Sequence, residues 1–217
     1  MENGEVQEPG ISVQCTAWST YPADPVALAK STGIIAVDVV DRIRLHLLSE
    51  RGIRSGPPAW TTLVWSLPGT TRPLEGSPVH DLLMERHPVW GDPDKDSTDG
   101  VLMVSLVTRS LDIDHRTFVA RYRNHTQIAR HHHGFAAYRQ NLNKQSPTGP
   151  DPDAVSEILL ASEADWRNRF YTANESADLV AGDVARFLDR QATISTLVRR
   201  FIGKRAQGLS AVDEVPC

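Results

Sequence analysis

Apolar and polar residues alternate along "ISVQCTAW" (11–18), and the segment is rich in strand formers, so it reads as a first strand. "YPADPVALAKSTG" then offers Asp24 as an N-cap, Pro25 at the first helical position and Gly33 as a stop. "VVDRIRLHLLSE" (39–50) alternates again and predicts a strand with Val40, Arg42, Arg44 and His46 on one side. A third strand is expected over "AWTTLVWSLPG" (59–69), ended by Pro68-Gly69. "SPVHDLLMERHPVW" (77–90), opening on Ser77 and Pro78, reads as a helix, and "GDPDKDSTDG" (91–100) has the composition of a linker.

The order then repeats. "VLMVSLVTRS" (101–110) predicts a strand, "DHRTFVARYRNHTQIAR" (114–130) a helix capped by Asp114, and "FAAYRQNLN" (135–143) and "VSEILLAS" (155–162) two strands. Residues 164–191 read as helix in two or three pieces, and "ATISTLVRRFIG" (192–203) as a last strand. Residues 101–203 therefore carry the order β-α-β-β-α-β of a ferredoxin-like unit, and residues 11–90 the same order without a clear last strand. The expected fold class is α+β: tandem ferredoxin-like halves, the N-terminal one degenerate, forming an α+β barrel. The halves are drawn at 11–95 and 100–205, with flexible tails at 1–10 and 206–217. Two ferredoxin-like sheets in one chain can pack face to face as a barrel. An alternating α+β order arising without such a repeat is the competing explanation.

Composition narrows the function classes. With 40% hydrophobic and 23% charged residues and a formal charge of −4, the 217-residue chain reads as globular, and no overall positive field invites nucleic acid. No apolar run approaches the length needed to span a bilayer, and the acidic, polar "MENGEVQEPG" is not a secretory leader, so a cytoplasmic protein is expected. Cys15 and Cys217 form no CxxC motif and read as reduced thiols, although a disulfide between them stays open.

Four of the eight histidines fall in "NHTQIARHHHGFAAYRQN" (124–141). Phe118, Tyr122, His125, Ala129 and His132 recur at spacings of three and four, which places them on one helical stripe facing the sheet. His125 is thus a titratable group at a helix–sheet seam, either a core histidine satisfied by a backbone carbonyl or a group tuned toward neutrality. His131, His132 and His133 diverge by about 100° each on a helix and cannot share one metal ion. They read instead as a C-terminal helical turn suited to the macrodipole, with Gly134 at C′. No metal site is expected.

"H125-T-Q-I-A-R" followed by "G134-F-A-A-Y138-R-Q140-N141" resembles the signature of the EthD-like family, within the dimeric α+β barrel superfamily. "VLMVSLVTRS" and "VARFLDRQA" (184–192) resemble that family's first strand and its late Phe-x-Asp segment. The resemblance covers roughly residues 101–203. It departs at Gln127, where many members have Pro, and in a Phe118–His125 interval one residue shorter than usual. Residues 1–100 match no motif of the family.

The resemblance implies an apolar pocket between helices and sheet, no metal or organic cofactor, and a small aromatic or polyketide-like ligand of secondary metabolism. Shorter relatives close the barrel by dimerising, so a homodimer stays open. By position, His125 is the candidate general acid/base of a lyase or isomerase, of the dehydratase or cyclase kind. Tyr138 is its catalytic companion, or else core. Phe118, Tyr122, Asn141 and His132 are candidate substrate contacts. Gln140 alternates to the opposite strand face from Asn141, so the two should not share one wall. A non-catalytic small-molecule binder and a cofactor-free monooxygenase are the alternatives.

In the N-terminal half, His46 with Arg42 and Arg44 offers a cationic strand face for a carboxylate or phenolate, or merely a solvated one. Trp18, Trp60 and Trp65 are aromatic surface for a flat substrate or core. Trp60 and Trp65 have opposite parity and are not expected to face inward together.

Overall fold

The computed structural model describes residues 10–53, 58–95, 99–145 and 151–204. The alternating and β-branched segments form eight antiparallel strands. In chain order these are β1 (Ile11–Trp18), β2 (Ile34–Val40), β3 (Thr62–Ser66), β4 (His80–Trp90), β5 (Val101–Val107), β6 (Ala137–Asn143), β7 (Ala154–Leu160) and β8 (Ile194–Ile202). They close into one barrel in the order β1-β3-β2-β8-β5-β7-β6-β4. The N-terminal strands thus run β4-β1-β3-β2 and the C-terminal strands β8-β5-β7-β6, and the two sets join through β2 with β8 and β4 with β6. Closure leaves no sheet edge unpaired.

Among the described residues five helices accompany the strands: α1 (Pro25–Ala29), α2 (His46–Glu50), α3 (His115–His132), α4 (Glu163–Asn168) and α5 (Ser176–Val184). Asp24 caps α1 by accepting from the Ala27 amide at 2.9 Å, and Asp114 caps α3 by accepting from the Thr117 amide at 2.7 Å, both as the sequence indicates. Helices α3 and α5 pack on each other and cover the outer face of the C-terminal sheet. No described helix is long and apolar enough to cross a membrane.

Two elements differ from the sequence reading. The strand expected over 39–50 lies earlier, at Ile34–Val40, a run buried on both faces that shows no alternation, and Arg44 and His46 fall in the following turn and in α2. The helix expected over 77–90 is strand β4. Its Ser77-Pro78 start and its Leu, Met, Glu and Arg residues favour a helix. Pairing with β1 on one side and β6 on the other overrides that preference, because Leu82, Met84 and Arg86, at a spacing of two, fill the barrel. Pro88, with no amide to give the ladder, sits where the register against β6 shifts. The N-terminal half therefore does have its last strand, and what it lacks is a helix between β3 and β4.

An eight-stranded barrel is just wide enough for side chains to fill. The lumen core holds Val13, Cys15, Met84, Val104, Trp60 and Trp65 among others. Trp60 and Trp65 both face inward despite their parity, because Trp60 precedes β3 and the strand pleat does not govern it. Cys15 is a free, buried thiol, and Cys217 and the proposed tails, Gly10 apart, lie outside the described residues. Gly134 follows the C-cap His133 as expected, but its φ is not positive. Its role is close packing: a Cβ there would run into the Arg169 carbonyl oxygen, which accepts the Gly134 amide at 3.0 Å.

Candidate functional site

Because β6 has both faces covered, its alternation divides the candidate residues between two compartments. Tyr138 and Gln140 face the helices, whereas Arg139 and Asn141 face the lumen. Asn141 is thereby separated from His125 and Tyr138 by the sheet itself.

On the helix side, His125 is buried where α3 meets α5. Its Nδ1 lies 2.8 Å from Asp183 Oδ2, and its ring stands 5.5 Å from that of Phe187. Burial pulls its pKa below the ordinary histidine value, and the Asp183 carboxylate acts in the opposite direction. With Nδ1–H held by a carboxylate, the tautomer is set and Nε2 is the ring nitrogen left to exchange a proton. Among the described residues Nε2 makes no hydrogen bond. Phe118 stacks on Tyr122 at 5.3 Å, and Tyr122 stands 5.9 Å from Phe187, so His125 occupies one corner of an aromatic box.

The floor beneath Tyr122 is polar and small. Gln140, Ser156, Ser105 and Ser195 lie side by side across β6, β7, β5 and β8. Gln140 Nε2 donates to the Tyr122 carbonyl at 2.8 Å and to Tyr138 Oη at 3.0 Å. The Tyr122 hydroxyl lies beside Tyr138 and Ser156, is buried, and completes no hydrogen bond with either. Burial raises both phenols, Tyr138 to about 12 and Tyr122 well above its usual value. Both are protonated donors at neutral pH, and the Tyr122 donor is uncommitted.

The histidine triplet disperses as helix geometry requires. His131 is exposed against the Gln127 carbonyl, and His132 Nδ1 meets Ser176 Oγ at 3.0 Å on the flank of α5. His133 stacks on Phe135 at 4.1 Å and holds the Phe170 carbonyl at 2.8 Å. No cluster of three His, Cys, Asp or Glu residues suited to a metal ion exists among the described residues. Burial lowers the His133 pKa to about 4. Above about pH 6.5 folded and unfolded chains bind the same protons at this group. As pH falls from there to about 4 only the unfolded chain takes up a proton, and stability drops by up to about 3 kcal/mol. Below that window the loss is complete. His133→Asn, which keeps a donor toward Phe170, is expected to flatten the denaturant-midpoint profile between pH 6.5 and 4 relative to wild type. Identical profiles would assign the acid sensitivity elsewhere.

On the lumen side lies a buried network that the sequence reading missed. Arg200 donates to Asp38 at 2.7 and 2.6 Å and to Asp94 at 2.6 Å, and also contacts Glu157. Arg139 reaches Glu157 at 3.2 Å and Asp92 and Asp94 at 2.9 Å. Asn141 donates to Glu157 at 2.7 Å and accepts from Arg86 at 3.0 Å, while Arg86 stacks 4.7 Å over Trp65. Burial pushes the Glu157 carboxyl up, but Arg200, Arg139 and Arg86 outweigh it and hold the group at about 2. Asp92 and Asp94 come from the segment that reads as a linker, whose residues 91–95 bring both carboxylates onto Arg139 and, through Asp94, onto Arg200.

At that end a cavity of about 580 Å³ opens between the turn after β2 and strand β8. Arg44 and His46 line it, 58% of the His46 side chain being exposed, and Arg44 Nε donates to Glu163 at 3.1 Å. The structure therefore brings His125, Tyr122, Phe118 and Tyr138 together on one side of the sheet. It sets His132 at the α3–α5 margin, Asn141 inside the barrel, and Arg44 and His46 at its mouth. Sequence reasoning passed over Asp183, which is 58 positions from His125. The one signal pointing there was the late segment containing Phe187.

Residues 110–191 match the family model described as "EthD domain", a span that holds α3, β6, β7, α4 and α5 with His125, Tyr138 and Asp183. No curated protein matches the chain significantly. Among solved structures, an anthrone oxidase-like protein is 11% identical over 92% of this chain and 95% of its own, with a TM-score of 0.50, a likeness of fold. A protein of Fusobacterium nucleatum subsp. nucleatum ATCC 25586, whose name proposes a monooxygenase, is 7% identical over 90% of this chain and 94% of its own, with a TM-score of 0.49.

Proposed function

We propose, from the match of residues 110–191 to the EthD-domain model, that the chain is a cofactor-independent enzyme that moves a proton on a small aromatic or polyketide-like molecule at the α3–α5 seam. The observation that carries this reading is the His125–Asp183 pair, held at 2.8 Å at the corner of an aromatic box whose Tyr122 carries an uncommitted hydroxyl. Nε2 of His125 takes a proton next to a carbonyl. The Tyr122 phenol donates to the oxygen on which charge develops, and Asp183 stabilises the imidazolium that results. Returned to a leaving hydroxyl, that proton completes a dehydration; returned to carbon, it completes an isomerisation or cyclisation. Tyr138 positions Tyr122 through Gln140. The matching strand orders of the two halves support reading them as ferredoxin-like units, the first degenerate in its helices.

A second reading draws on the anthrone oxidase-like neighbour's name. The same deprotonation would yield a carbanion that dioxygen oxidises, converting an activated CH2 to a carbonyl with release of water. Titration of His125 by NMR, with and without a dihydroxyanthrone, tests what both readings share. The His125 pKa is expected to move when the compound binds and the His132 resonance to stay fixed. An unmoved His125 would mark a core histidine and remove the catalytic assignment. Oxygen uptake during turnover then separates the second reading from the first.

A further inference from the structure

We propose that the cavity at the barrel mouth is a second small-molecule site, distinct from the His125 seam, and that it takes an aromatic carboxylate. At about 580 Å³ it falls in the range of ordinary ligand pockets. Leu102, Leu159, Val198 and Ile202 line it as an apolar wall able to cover a flat ring system.

The polar groups show which charge is missing. All three carboxylates of the lining are engaged: Asp41 by the Ile43 amide, Asp94 by Arg139 and Arg200, and Glu163 by Arg44 and Arg167. Arg44 and Arg200 are thus committed. Lys95 lines the same cavity and has no acid partner among the described residues. Among the described residues the lining thus offers an unpaired cation and no unpaired carboxylate, so its complement is an acceptor with negative charge. Arg200 adds rigidity, since its guanidinium is held by Asp38, Asp94 and Glu157 and cannot swing away when a ligand enters. Ile43, 78% exposed at the rim, is an apolar side chain in water that a bound ring would cover.

The site stands on the lumen side of the sheet and owes nothing to His125. The test is calorimetric titration of the full chain with naphthoate and with uncharged naphthamide. Naphthoate is expected to bind about tenfold tighter than naphthamide, since only it supplies a charge-assisted acceptor. Lys95→Gln is expected to weaken naphthoate about fivefold and Ile43→Asp about tenfold, by loss of attraction and by added repulsion. Both positions are exposed, so both variants are expected to keep the wild-type circular dichroism spectrum. His125→Gln is expected to leave naphthoate affinity unchanged. Absence of naphthoate binding, equal affinity for the two compounds, or affinity lost in His125→Gln and kept in the Lys95 and Ile43 variants would each overturn the proposal. The last result would move the ligand to the seam and leave the function proposed above standing.

Discussion

Glu157→Gln is expected to lower the unfolding free energy by about 3–5 kcal/mol, as removal of one member of a buried ion network does. Glu157 has no exposed surface, and its two oxygens serve Arg139, Arg200 and Asn141. Glutamine keeps the volume and removes the charge. Three buried arginines, Arg86, Arg139 and Arg200, then share Asp38 and Asp94 inside the barrel, with Asp92 at its rim. For a chain of this length the loss corresponds to a drop in Tm of about 10 °C. The companion variant Arg86→Met on the Glu157→Gln background is expected to recover part of the loss. Arg86 is the weakest-held cation of the three, with one Nη nitrogen lacking a hydrogen bond and 3.6 Å from Glu157. Equilibrium denaturation of the two variants measures both effects. A single variant within about 1 kcal/mol of wild type would show that the charges merely tolerate one another.

That network also explains which parts of the fold could be read in the sequence. The C-terminal half was legible because its strands are short and β-rich, and because α3 carries an apolar stripe and a capping aspartate. The inference fails where a strand has both faces buried. In "AYRQN" the alternation of aromatic and charged residues suggests one core face and one wet face. In the barrel, Tyr138 and Gln140 meet the helices while Arg139 and Asn141 meet other charges in the lumen. Period-two patterning reports that two faces differ; it cannot report that the polar face has partners on strands as distant as Asp38 and Arg200. The same blindness hid Asp183. A helix residue in a polar segment looks solvated until α5 is laid against α3, and only then is it the carboxylate that orients His125.

His125→Ala is expected to lower kcat by about 10²–10⁴-fold, the usual contribution of one positioned acid/base. The residue stands at a helix–helix seam and not inside the barrel, so the folded state should survive its truncation. Loss of the ring opens a small space beside Phe187 and frees the Asp183 carboxylate, which is partly exposed and can be hydrated. Asp183→Asn discriminates a working pair from a structural one. An amide can still accept from Nδ1–H, but it cannot stabilise the imidazolium, so kcat is expected to fall while KM changes little. The Asp183 charge also raises the His125 pKa against the effect of burial. Its removal should therefore shift the acid limb of the kcat/KM profile to lower pH, because the neutral base then persists further into acid. Tyr122→Phe completes the set. It deletes the uncommitted hydroxyl without changing the stack on Phe118, and is expected to reduce kcat with no loss of stability, since no intramolecular hydrogen bond is broken. A stability loss in Tyr122→Phe with turnover intact would place that hydroxyl in the core. Unchanged turnover in His125→Ala would take the chemistry away from the seam altogether.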